Sequence, residues 1–114
     1  MDKLKKLRQS IIQVMDDYIA EESPRPNNLG LEFRKILDDK QHQYQLVQMG
    51  WDGGIRVYDL IFHADIRADK IWIHEDSLEE SLAERLIDKG LSKKDIVLAY
   101  FPEDHRAHTQ YALA

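Results

Sequence analysis

His63 and Asp65 stand two residues apart in a long apolar run, a spacing that turns both side chains to one face of a β-strand, and His74, Glu75 and Asp76 close the next run. If those strands are neighbours, His63, Asp65, His74 and Glu75 converge, and imidazoles beside carboxylates are ligands that hold a divalent cation and acidify its water. Asp69 and Lys70 with Glu75 and Asp76 offer a second arrangement, carboxylates and a lysine at strand ends, as used in metal-assisted phosphodiester cleavage. Both patterns are unspecific in a chain in which 32% of residues are charged, and a hydrogen-bonded strand face accounts for them equally. His105 and His108 lie one helical turn apart in a stretch with no helical period. There is no cysteine, and Ser10, Ser23, Ser77, Ser81 and Ser92 fall in helix, linker or capping contexts, so no nucleophile is set up for covalent hydrolysis. No glycine-rich loop opens a helix to cradle phosphate. The residues predict a non-enzymatic protein with no cofactor and no metal, the rival being a metal-dependent nuclease built on His63, Asp65, His74 and Glu75.

The elements that must position these groups follow from periodicity. Leu4, Leu7, Ile11, Val14 and Tyr18 recur at spacings of three and four, with Ile12, Met15 and Ile19 widening the stripe, which predicts an amphipathic helix from Asp2 to about Glu22. Its apolar face docks on the chain's own sheet or, alternatively, pairs with a second copy. Two prolines at 24 and 26 stop it. Leu29, Leu31 and Phe33 begin a first strand that continues through Ile36 and Leu37; Tyr44 to Met49 form a second; Gly50 to Gly54 make a hairpin turn. Trp51 in that turn could stack on a base or a sugar, or simply cover one end of the sheet. Ile55 to Ile66 make a long third strand and Ile71 to His74 a fourth. Ser77 and Glu80 have the spacing of a capping box at the head of a second helix ending at Gly90, and Ser92 with Asp95 repeats the spacing before a fifth strand, Ile96 to Phe101. Helix, four strands, helix, strand predicts an α+β, two-layer domain over residues 1–114, with a mostly antiparallel five-stranded sheet and parallel pairing possible only through the second helix. Residues 103–114 show no clear period.

Length and charge bound the function. With 114 residues, 43% of them apolar, there is enough material for one core and no run that would span a bilayer, so a soluble, cytoplasmic protein is expected. Sixteen basic against twenty-one acidic residues give a net charge of -5, a poor footprint for holding DNA unaided. Lys3, Lys5, Lys6 and Arg8 concentrate positive charge on the first helix. Trp72 alternates with Ile71 and Ile73, and by the same alternation Tyr58, Leu60 and Phe62 share one parity; if the helices cover the isoleucine face, these aromatics line the open one. Tyr58, Phe62 and Trp72 on the open face, with Lys3 and Lys6 on the helix, are the candidate protein-binding residues.

Four segments in order, YQLVQMGW from Tyr44, KIWI from Lys70, KKDIVL from Lys93, and a tail with Arg106, Thr109 and Tyr111, resemble the XisI family of fdxN-element excision controlling factors over essentially the whole chain. The resemblance implies a small cyanobacterial accessory protein for site-specific excision of a DNA element during heterocyst differentiation. It implies action through a companion of the XisH type, with DNA contact indirect; the apolar helix stripe and the open sheet face leave a homodimer possible. The recombinase is a separate protein. An antitoxin-like neutraliser of a nuclease-like partner is the alternative with the same binding mechanism. The turn after KIWI, Glu75 to Leu78, and the stretch Phe101 to Asp104 depart from the family pattern.

Overall fold

Leu7, Ile11, Val14 and Met15 form the fully covered side of a 20-residue helix, α1 (Lys3–Glu22). The computed structural model describes residues 2–23 and 30–114; the expected proline stop and Leu29 lie outside them. Asp2 caps α1 by accepting the Leu4 amide at 3.1 Å. The stripe packs on a five-stranded sheet of β1 (Leu31–Asp38), β2 (Gln43–Asp52), β3 (Ile55–Arg67), β4 (Lys70–Asp76) and β5 (Ile96–Leu98). Docking on the chain's own sheet, rather than pairing with a second helix, is therefore what the stripe does.

The strands lie in chain order, with β1 to β4 an antiparallel meander and β5 parallel to β4. That one parallel pair is made by the crossover through α2 (Leu82–Asp88), as the chain order requires. Two of the meander's turns are two residues long and take positive φ at both positions, at Gly53 and Gly54 and at Ala68 and Asp69. Rows read across the register place Leu37, Tyr44, Ala64, Ile73 and Leu98 on the helix-covered face, beside Lys35, Leu46 and Phe62, and Ile66, Ile71 and Ile96. With the α1 stripe and Leu82, Ala83 and Leu86 of α2, these build a single core on one side of the sheet. No helix among the described residues is long and apolar enough to cross a membrane.

Three expectations are corrected. Helix α2 starts later than Ser77: its cap is Ser81, which accepts from Glu84, because the Asp76 carboxylate holds the preceding loop by accepting the Leu78 and Leu82 amides at 3.0 and 2.7 Å. Strand β5 ends at Leu98 instead of Phe101, since the Phe101 amide turns back to the Leu98 carbonyl. The unpatterned tail is ordered: a one-turn helix, α3 (Glu103–Arg106), leads to Ala112, which bonds to Ile96 and bridges Val97. Ser92 and Asp95 do form their capping box, around a 3-10 turn.

Charged pairs tie α1 around the rest. Arg8 grips Asp39 in the β1–β2 turn at 2.7 Å, Asp16 meets Lys35 of β1 at 2.6 Å, Lys3 meets Asp95 at 2.6 Å, and Glu21 and Asp17 meet Arg85 and Lys89 of α2. Each exposed pair contributes under about 1 kcal/mol, so burial sets the stability and the pairs set the helix's orientation.

Gly50 has φ +142°, and a Cβ there would stand 2.1 Å from the Gly30 carbonyl oxygen; at Gly53 a Cβ would meet nothing within 4 Å. Gly50→Ala should cost roughly 2–3 kcal/mol through backbone strain and overpacking, against about 1 kcal/mol for Gly53→Ala, as read by urea unfolding. Equal losses would mean that the β1–β2 approach is not tight.

Candidate functional site

The open face of the sheet is set by two irregularities. Leu46 pairs with Phe62 but Val47 with Leu60, so Ile61 is an extra residue and β3 changes parity there. Tyr58 and Leu60 consequently face away from the helices, whereas Phe62 enters the core with no exposed surface. The expectation that Phe62 shares the open face with Tyr58 is thus overturned by a single bulge. A second shift, at His74 in β4, keeps Ile73 inside and directs His74 back towards Asp65.

Four rows cross this face. Asp38, Gln43, Asp65, Trp72 and Val97 make the first, Ile36, Gln45 and His63 the second, Arg34, Val47 and Leu60 the third, and Glu32, Met49 and Tyr58 the fourth. Rows two to four expose apolar side chains beside the Glu32–Arg34 ion pair: Tyr58 is 66% exposed, Ile36 44% and Leu60 37%. Gln45, Val47, Tyr58 and Leu60 line a shallow hollow of about 220 Å³. Trp51 projects beyond it at the hairpin end, with the Arg56 guanidinium over its ring.

The first row is a polar cluster under the tail. Asp65 is 2% exposed and accepts from Arg67 at 2.9 Å, from Gln43 at 3.0 Å and from His74 at 3.1 Å. Burial pushes its carboxyl up, but those three donors together hold it below the ordinary carboxylate value. His63 bonds the Gln43 side chain at 2.8 Å and lies 5.1 Å from the His74 ring. Burial, and then the neighbouring His74, push the His63 imidazole down. So the structure does bring His63, Asp65 and His74 together, as their spacing predicts. Asp65 is already committed to Arg67, Gln43 and His74, and Asp76 to the α2 cap. Among the described residues no group of three or more His, Asp or Glu is arranged to hold a metal ion.

Trp72 is half-buried, with the guanidinium of Arg67 5.0 Å and that of Arg106 5.5 Å from its ring centre. Arg106 also donates to the carbonyls of Phe101 and Leu113 at 3.0 and 3.2 Å, and Thr109 donates to the Arg106 carbonyl while accepting the Tyr111 amide. Trp72 is therefore on the open face, as predicted, but as the anchor of the tail. On α1, Lys3 is occupied by Asp95 and Lys6 stands exposed. Sequence reasoning missed Ile36, Val47 and Arg106; alternation along β1 and β2 carries the first two, and nothing periodic marks the third.

The XisI protein family matches residues 1–113. The chain is 29% identical to an XisI-like protein from Anabaena variabilis ATCC 29413, whose crystal structure superposes with a TM-score of 0.84 over 97% of this chain and 99% of that one. It is 31% identical to the fdxN element excision controlling factor XisI from the same organism, with a TM-score of 0.79 over 99% and 100% of the two chains. No curated protein matches.

The polar cluster makes stability pH-dependent. Because the folded state depresses the His63 pKa below its ordinary 6.5, unfolded chains bind the proton first, so the His63 contribution is complete above 6.5 and is lost as pH falls towards the folded value. Urea unfolding from pH 7.5 to 5 should show this decline, and His63→Gln should flatten it; an unchanged slope would place the titration elsewhere.

Proposed function

Because the chain belongs to the XisI family, we propose that it is an accessory controlling factor for the excision of a DNA element, acting by contact with a partner protein and not by cutting or joining strands. A protein of the same fold and 31% identity is an fdxN element excision controlling factor. The partner in this reading is an XisH-type companion, and the setting is the cytoplasm during a programmed rearrangement such as heterocyst differentiation, with DNA held by other proteins.

The single observation that carries the partner reading is the apolar half of the open face. Tyr58 and Leu60 expose apolar surface around a hollow, on a face that the helices leave uncovered. An aromatic beside such a hollow, with a polar rim, has the composition of a protein contact. The net charge of -5 points the same way, since phosphate neutralisation would favour the opposite sign. Of the residues singled out by sequence, Tyr58 leads this proposal. Trp72 and Lys3, each engaged within the chain, stand at its margin, and Lys6 offers a separate basic contact.

Co-expression with the XisH-type companion, affinity capture and light scattering test the reading. Wild-type protein should co-purify at fixed stoichiometry, and Tyr58→Asp should weaken the complex about 30-fold, corresponding to the roughly 2 kcal/mol of an interface anchor. Lys6→Glu serves as the comparison on α1. A Tyr58→Asp variant that binds as wild type removes the open face from the proposal, and absence of any wild-type complex removes the partner mechanism.

A further inference from the structure

The two edges of the sheet are unlike. At β5 the edge is closed by the tail, through the Ala112 amide on Ile96 and the bridge to Val97. At β1 no further strand lies outside among the described residues. An open edge carries a row of unpaired amides and carbonyls, which proteins blunt with proline, a bulge, a very short strand or charged side chains. Strand β1 lacks the first three: it is eight residues long, contains no proline and pairs with β2 in unbroken register from Leu31 to Asp38, and of its charged side chains Lys35 is paired with Asp16 of α1 and Arg34 with Glu32. In its second half Ile36 is 44% and Leu37 38% exposed, one on each face.

We propose that β1 is a self-pairing edge: two copies of the chain join β1 to β1, antiparallel about a two-fold axis, so that the sheet continues across the interface. Backbone groups that point outward alternate along β1, so outward groups meet outward groups only when the axis passes through a residue. An axis at Arg34 sets Arg34 against itself, and one at Lys35 sets Lys35 against itself, both repulsive. An axis at Phe33 leaves Leu37 outside, and one at Leu37 runs off the end of the strand. An axis at Ile36 places Ile36 opposite Ile36, Leu37 opposite Lys35, and Arg34 opposite Asp38 twice over. This register covers both exposed apolar side chains and makes the facing charges opposite. It leaves the hollow beside Tyr58 and Leu60 open, so the contact is distinct from the one assigned to a companion protein.

The test exploits the axis. Ile36 is on the open face, where a charged side chain is compatible with the fold, as circular dichroism of each variant verifies. Sedimentation equilibrium at high micromolar concentration should find wild-type dimers, and Ile36→Lys and Ile36→Glu should each be monomers because the axis sets like charge on like. Their equimolar mixture should return to dimers. A monomeric wild type, which is also what an edge reserved for another protein's strand would give, overturns the proposal. So do variants that remain dimeric alone, or a mixture that remains monomeric.

Discussion

The structure depends on one face of the sheet being covered by α1. Leu7, Ile11, Val14 and Met15 are fully buried in one cluster with Tyr44, Leu46, Phe62, Ala64, Ile71 and Ile73 of the sheet and with Leu82 and Leu86 of α2. A sheet covered once has a dry side and a wet side, and every strand must alternate accordingly. The division of labour follows. Core residues sit on the α1 side, while the polar cluster, the tail and the apolar hollow share the other. The charged pairs from Arg8, Asp16, Asp17 and Glu21 then hold the helix at the angle that covers the sheet from β1 to α2.

What could be read from the residues was whatever depends on unbroken periodicity. The α1 stripe, the four meander strands, the hairpin at Gly53 and Gly54 and the parallel return through α2 all follow from local alternation and turn chemistry. The side chain of Phe62 was misplaced because a bulge at Ile61 is one extra residue in a ladder, and no residue type announces it. The later start of α2 has a similar origin: Ser77 and Ser81 both have capping chemistry, and the choice is made by Asp76, whose carboxylate reaches across to Leu82. The tail escaped because Arg106 acts through a ring on β4, far away in sequence.

The segments by which the chain resembles its family are, in this structure, mostly architectural. In YQLVQMGW, Tyr44 and Leu46 are core and Gly50 permits the close approach to Gly30. In KIWI, Ile71 and Ile73 are core and Trp72 receives the tail. In KKDIVL, Asp95 closes the capping box and takes Lys3. Arg106, Thr109 and Tyr111 fold the tail back over the sheet. Residues of the four clearest segments thus build the scaffold, whereas Ile36, Tyr58 and Leu60, which expose apolar surface, lie outside those four segments. A search for chemistry among the motif residues finds structure, and the surface has to be read from exposure.

The strand order has a consequence for synthesis. Each of β2, β3 and β4 pairs with the strand made just before it, so the sheet can grow by successive hairpins as the chain leaves the ribosome, a route of short-range contacts. Helix α1 emerges before any of them. Its stripe stays uncovered until β2 and β3 have supplied Tyr44, Leu46 and Ala64, and the nascent chain carries an unsatisfied apolar surface for that interval. Closure of the core therefore waits on the chain as far as residue 66, so the first 20-residue helix is the last element of the amino-terminal half to be covered.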